Sequence, residues 1–249
     1  MTRLHQELAI ALVTQVVLMS ALSAAVGLPP AGCLVGLTCG LVVCALLGRG
    51  LRRSGAPVLG QANRVTLART VLVGGVAALV VDGSTRFEVT AALVVLSTVA
   101  LALDGVDGWV ARRTRTTTSV GARFDMEVDA FLILVLSVHV AEALGAWVLS
   151  IGAARYLFVA AGWVLPWMRA TLPFRYWRKV VAAVQGIVLT LAAANLLPYG
   201  VVVTALLVAL GLLVESFGRD VWWLRRRAPM ADRISEALTY QESGRSTPS

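Results

Sequence analysis

The stretch that decides the fold runs from Leu103 to Ala130, LDGVDGWVARRTRTTTSVGARFDMEVDA. It joins two apolar runs and sets Asp104, Asp107, Asp125 and Asp129 at their mouths. Asp104 and Asp107 are three residues apart, and Gly121, Asp125 and Asp129 are spaced by four. On helices, each set therefore forms one stripe. The connection is short, so the helices are expected to be antiparallel neighbours with four carboxylates converging at one end. Carboxylates beside arginines at a membrane boundary are often only solvated or salt-bridged. Two opposed same-face pairs are different, because their repulsion is unfavourable without cations. A charge well inside a span costs about 2.5–3.5 kcal/mol on insertion scales, so such residues tend to be functional. Gly108, Ala111 and Gly121 are small and leave room for a ligand or a metal beside the stripes.

The pattern predicts a metal site with Asp104, Asp107, Asp125 and Asp129 as ligands. Oxygen donors without His or Cys suit Mg²⁺ or Mn²⁺. Two such ions, roughly 3.5–4 Å apart, clamp the attacking and leaving oxygens of an in-line displacement. Arg112 is placed to neutralise a phosphate or diphosphate beside them. Asp129, at the end of its stripe, is the candidate acceptor for a hydroxyl proton. The site is expected where lipid meets cytosol, which suits one greasy and one water-soluble substrate.

Working outward, the chain has 249 residues, 58% hydrophobic and 14% charged, with mean hydropathy +0.79. A soluble domain would carry about a quarter charged residues. The apolar residues come in eight runs, roughly 8–26, 31–48, 65–81, 89–110, 124–143, 147–168, 180–197 and 201–224, each long enough or nearly so to cross a bilayer. The expected fold class is all-α, a polytopic transmembrane bundle. The connections alternate between arginine-rich and bare. Arg49, Arg52, Arg53 and Arg64 follow the second run, Arg112, Arg113, Arg115 and Arg123 the fourth, and Arg169, Arg175, Arg178 and Lys179 the sixth. By the positive-inside rule both termini and the site face the cytoplasm, here of a bacterial-type cell membrane. The same clustering assigns the net charge of +8 to topology and anionic lipid or phosphate, not to nucleic acid.

The first run is read as a retained span although SALSAA resembles a cleavage site. Cys33, Cys39 and Cys44 share one apolar run without a CxxC pair and read as small helix residues. His5 and His139 have no metal-type partners nearby in sequence. From Ala228 the chain turns polar and reads as a short amphipathic piece and a largely disordered tail.

At its acidic residues the chain resembles the CDP-alcohol phosphatidyltransferase family, whose pattern is D-x-x-D-G-x-x-A-R, eight residues, then G-x-x-x-D-x-x-x-D. Asp104, Asp107, Gly108, Ala111, Arg112, Gly121, Asp125 and Asp129 match without departure. The resemblance implies a six-helix core over residues 63–227, preceded by two additional spans in 1–62 and followed by the tail 228–249. It implies a homodimer that moves a phosphatidyl or similar group from a CDP-linked donor to a small alcohol and releases CMP. Asp104, Asp107 and Asp125 would be metal ligands and Asp129 the general base, also touching metal. Gly108, Ala111, Arg112 and Gly121 would face the CDP moiety.

Three further stretches are similar to elements of the family. ANRVTLAR, 62–69, resembles P-N-x-x-T-x-x-R with alanine for proline; Asn63, Thr66 and Arg69 match, and Asn63 and Thr66 are assigned to the substrate side. Asn63 would also serve as a helix N-cap. Ala154-Arg155 resembles an element that binds the acceptor phosphate, with Tyr156 where an acid is usual. The plainer alternative for Arg155 is a salt bridge to Glu142 or Glu215. RKVVAAVQ, 178–185, shares Lys179 and Gln185 with the glycerol-phosphate-using members and departs elsewhere, which counts against glycerol-3-phosphate as acceptor. A rival of another class is a transporter whose acidic cluster binds the cation carried. The registered glycines and Arg112 argue against it.

Overall fold

The structure is a computed structural model that describes residues 3–53, 61–114, 119–169 and 176–245; side chains are described for 5–50, 64–106, 121–165, 167–168 and 176–226. Among the described residues there are eight α-helices and no strand. They are α1 Arg3–Val26, α2 Pro30–Arg53, α3 Gln61–Asp82, α4 Phe87–Thr114, α5 Ser119–Leu144, α6 Leu149–Val164, α7 Tyr176–Ala193 and α8 Tyr199–Arg245. Short 3₁₀ turns, Ala146–Val148 and Pro166–Arg169, flank α6. The expected sixth span thus stops before Pro166, which cannot continue an α-helix's hydrogen bonding.

The bare connections are tight, and each turns on one left-handed residue. These are Gly27, Gly83, Gly145 and Asn195, with φ of 68°, 61°, 101° and 52°. Each donates its N–H back to a carbonyl three or four residues earlier, closing the helix end.

Among the described residues, six helices are long and apolar enough to cross a membrane: α1 to α4, α6 with its leading turn, and the first part of α8. The other two carry charge within their length. Asp125, Glu127, Asp129 and Glu142 lie on α5, and Arg178 and Lys179 open α7. Both are nonetheless built into the bundle, α5 against α3, α6 and α7, and α7 against α4 and α8.

The helix α3 is the axis of the fold. Of its span 72% is buried, against 22–33% for the other five apolar spans. Lipid-facing helices keep apolar residues exposed because the surrounding chains are as apolar as the core, so tight packing rather than burial from water holds them together. The docking of α2 on α3 shows this. Gly32, Gly36 and Gly40 fall four apart on one stripe of α2. A Cβ on Gly32 would stand 2.6 Å from the Ala78 carbonyl oxygen, and one on Gly36 3.1 Å from that of Gly74. Only hydrogen at these positions lets the two backbones approach so closely.

The first helix closes over this pair. Gln15, 1% exposed, wedges between Gly40 and Gly74. At one end of α1 Glu7 pairs with Arg64 of α3. At the other, Arg86, from the turn before α4, donates to the Val26 carbonyl at 2.7 Å. The first helix is therefore fastened to the core at both ends.

The helix α8 continues past its apolar span, through Ala228, to Arg245. Half of the residues from Ala228 to Arg245 are Ala, Arg, Glu, Leu or Gln, good helix formers, and propensity can extend a helix already nucleated by a buried span.

Candidate active site

The site is built where three helix ends meet. The first turns of α3 bring Thr66, Arg69 and Thr70, the last turns of α4 bring Asp104, and the first turns of α5 bring Gly121, Asp125 and Asp129. The spacings within α4 and α5 are read out as expected because both helices are continuous through their motifs. One ligand oxygen from each of Asp104, Asp125 and Asp129 lies within 4.8 Å of the others, and all three residues are half-buried.

At the centre of this cluster is Arg69. Its side chain is fully buried, while those of Asp104, Asp125 and Asp129 are 32%, 16% and 26% exposed. Nη1 donates to Asp104 Oδ1 at 3.0 Å and to Asp125 Oδ1 at 2.5 Å. Nη2 donates to Asp129 Oδ1, and Nε to the Ala100 carbonyl at 3.1 Å. The planar fork of guanidinium donors is suited to joining several carboxylates at once. Thr66, one turn earlier on α3, is also buried, and its carbonyl accepts from Thr70 Oγ1.

Charge counting tests whether a metal fits. One guanidinium against three ionised carboxylates leaves two negative charges uncompensated among these residues. Arg69 engages one oxygen of each carboxylate, and each carboxylate has a second. An all-oxygen, partly buried, doubly negative cluster suits a hard divalent cation.

The remaining expected residues fall as follows. Asp107, Gly108, Ala111 and Arg112 lie on the last turns of α4, and their side chains are outside those described. Asn63 lies inside the first turn of α3, which starts at Gln61, and so is not its N-cap; its side chain is also outside those described. Gly121 is buried one turn before Asp125. Lys179, exposed near the start of α7, is close enough for its charge to act on Asp125. Gln185 is buried deeper in the same helix.

Arg155 is not part of the cluster. It pairs with Glu127, not with Glu142 or Glu215. Glu127 lies two residues from Asp125 and therefore on the far side of α5. Glu215 instead accepts from Trp177 Nε1 at 2.9 Å and pairs with Arg219. Arg178, one of the basic residues after the sixth apolar run, reaches Asp220 of α8 at 3.6 Å, which ties α7 to α8. Arg169 and Arg175 lie outside the described side chains.

Sequence reasoning matched Arg69 to a motif but gave it no role. The signal was available: a lone arginine followed by TVLVGGVAALVV is a charge at the edge of an apolar span, and such a charge needs a partner.

No curated protein and no solved structure matches the chain. The family model described as CDP-alcohol phosphatidyltransferase matches residues 59–214. That range is well over half of the chain. It opens just before α3, ends within α8 and includes all the acidic residues of the cluster, while α1 and α2 lie outside it. With the motif in register on α4 and α5 and its carboxylates gathered around Arg69, the chain belongs to the CDP-alcohol phosphatidyltransferase family.

Proposed function

We propose that this protein is a divalent-metal-dependent transferase that moves a phosphatidyl group from CDP-diacylglycerol to a hydroxyl of a small polyol, releasing CMP. The family consists of transferases of phospholipid synthesis that use CDP-alcohol donors and alcohol acceptors. The observation that carries the finer reading is the convergence of Asp104, Asp125 and Asp129 with a net negative charge of two left over by Arg69.

Asp104, Asp125 and Asp129, with Asp107, would hold the metal, Mg²⁺ or Mn²⁺. Bound there, it would supply positive charge to the donor diphosphate and the leaving CMP. Arg69 fixes the carboxylates in place, since three donors on one rigid plane set the distances between their acceptors. Asp129 takes the proton of the acceptor hydroxyl. That oxygen then forms its bond to the proximal phosphorus as the bond from phosphorus to the CMP oxygen breaks. Arg112 and Gly121 stand on the donor side, and Lys179 offers a cation to an anionic acceptor.

The test is CMP release by purified protein given Mg²⁺, CDP-diacylglycerol and a panel of inositol phosphate, glycerol-3-phosphate, inositol and serine. Release with one acceptor, abolished by EDTA, is the expected result. Absence of release with every acceptor, together with cation flux in vesicles, would replace the transferase reading with a transporter.

A further inference from the structure

A second feature lies beside the carboxylates and is walled partly by a helix outside the family match. A cavity of about 430 Å³ opens between α2, α3, α5 and α6. Its volume is within the range of small-molecule sites. Val43 and Leu47 of α2, Val73 of α3, Phe124 and Phe131 of α5, and Tyr156 of α6 form its walls. Polar groups are confined to Arg123 and Glu127, near the start of α5, and to Thr70 and the Tyr156 hydroxyl.

The cavity and the carboxylate cluster share two walls. On α5 the cavity takes Phe124, Glu127, Val128 and Phe131, a stripe at helical spacing and at the same level of the helix as Asp125 and Asp129, with Phe124 and Val128 each one residue before an aspartate. On α3 Val73 lies one turn beyond Arg69. A molecule with its diphosphate at the carboxylates would need only to turn past Phe124 at the start of α5 to reach this apolar stripe. Charge favours the same orientation. Glu127 is matched by Arg155, whereas Arg123 has no ion-pair partner among the described residues, leaving one positive charge at the cavity's polar end. Water would find too few partners along the apolar walls to fill the space.

We propose that this cavity holds an acyl chain of the cytidyl-linked lipid donor, and that α2 serves the reaction by supplying one of its walls. The inference rests on the donor being a diacyl lipid. It gives the additional N-terminal helices a substrate-binding part outside the matched region.

The test uses the full chain in phosphatidylcholine nanodiscs with CDP-diacylglycerol bearing a diazirine midway along one acyl chain. After photolysis, adducts are expected on the 39–47 segment of α2 and at Phe131. They should be displaced by unlabelled CDP-diacylglycerol but not by added phosphatidylcholine. Equal labelling by diazirine-bearing phosphatidylcholine would mean that bulk lipid fills the cavity, and adducts confined to other helices would place the chain elsewhere; either result overturns the proposal.

A kinetic arm uses Val43→Trp, which narrows the cavity from α2 without touching the carboxylate site. It should raise KM for the dioleoyl donor about tenfold while leaving the dioctanoyl donor within about twofold. An equal effect on both donors overturns the proposal. The two readings fail separately. CMP release without labelling in the cavity refutes the acyl-chain site alone, whereas labelling without CMP release with any acceptor refutes the transferase reading alone.

Discussion

The two ends of α3 solve opposite problems with the same degree of burial. Near its start Arg69 is fully buried and holds three carboxylates from two other helices. From Gly74 to Ala78 the helix offers almost no side chain, and α2 lies against its backbone. The first end is specified by charge and becomes unfavourable if one partner is lost. The second is specified by shape and becomes unfavourable if one atom is added. The proposed chemistry uses the charged end, and the close-packed end holds α1 and α2 in position.

The contrast can be broken most severely at the charged end. Asp125→Asn removes a carboxylate charge from the proposed metal site and is expected to cost several kcal/mol of transition-state stabilisation, about a thousandfold or more in rate. CMP release measured beside a normal level of inserted, folded protein checks this. Substantial activity in that variant would remove the metal role from Asp125.

Next in size is Arg69→Ala. Removing one partner of a buried ion cluster leaves uncompensated charge and typically costs about 3–5 kcal/mol. Thermal unfolding in detergent should show a large fall in Tm, with part of the loss recovered by millimolar Mg²⁺ and more than the wild type gains. Recovery no greater than in the wild type would mean that the carboxylates do not share a cation.

A smaller effect is expected at the close-packed end. Gly32→Leu forces side-chain atoms onto the Ala78 carbonyl, and overpacking of this kind costs about 1–3 kcal/mol. The same melting assay should show a loss that Mg²⁺ leaves unchanged. Recovery by Mg²⁺ would mean that the two ends of α3 are coupled.

The smallest effect is expected for Arg155→Ala. Its pair with Glu127 is part-exposed, at 32% and 54%, so stability should change by about 1 kcal/mol or less. A fall in Tm as large as that of Arg69→Ala would place Arg155 in a buried network instead.

The fold was legible in the sequence where it depends on local periodicity. Eight apolar runs became eight helices, and the Gly and Asn residues of the bare connections became left-handed turns. The spacing from Asp104 to Asp129 was enough to bring the described carboxylates together, because two helices joined by a short connection have little choice of orientation. The docking of α2 was not legible. Gly32, Gly36 and Gly40 lie in an apolar run where small residues are ordinary, and nothing local tells which neighbour they will face. The partner of Arg155 was missed for a related reason. Glu127, Glu142 and Glu215 are equivalent on paper, and only the packing of α6 on α5 selects the first.

By itself, the sequence determined where the eight apolar helices run, which stripes of α4 and α5 are charged, and that the acidic residues of α4 and α5 would meet. Those properties follow from the 3.6-residue period and the chain's short connections. Only the tertiary structure decided that α3 would pass between them and deliver Arg69, and that α2 would wall the neighbouring cavity. Each of these requires contact between residues distant in the chain, and such contacts are selected by the packing of all the helices together.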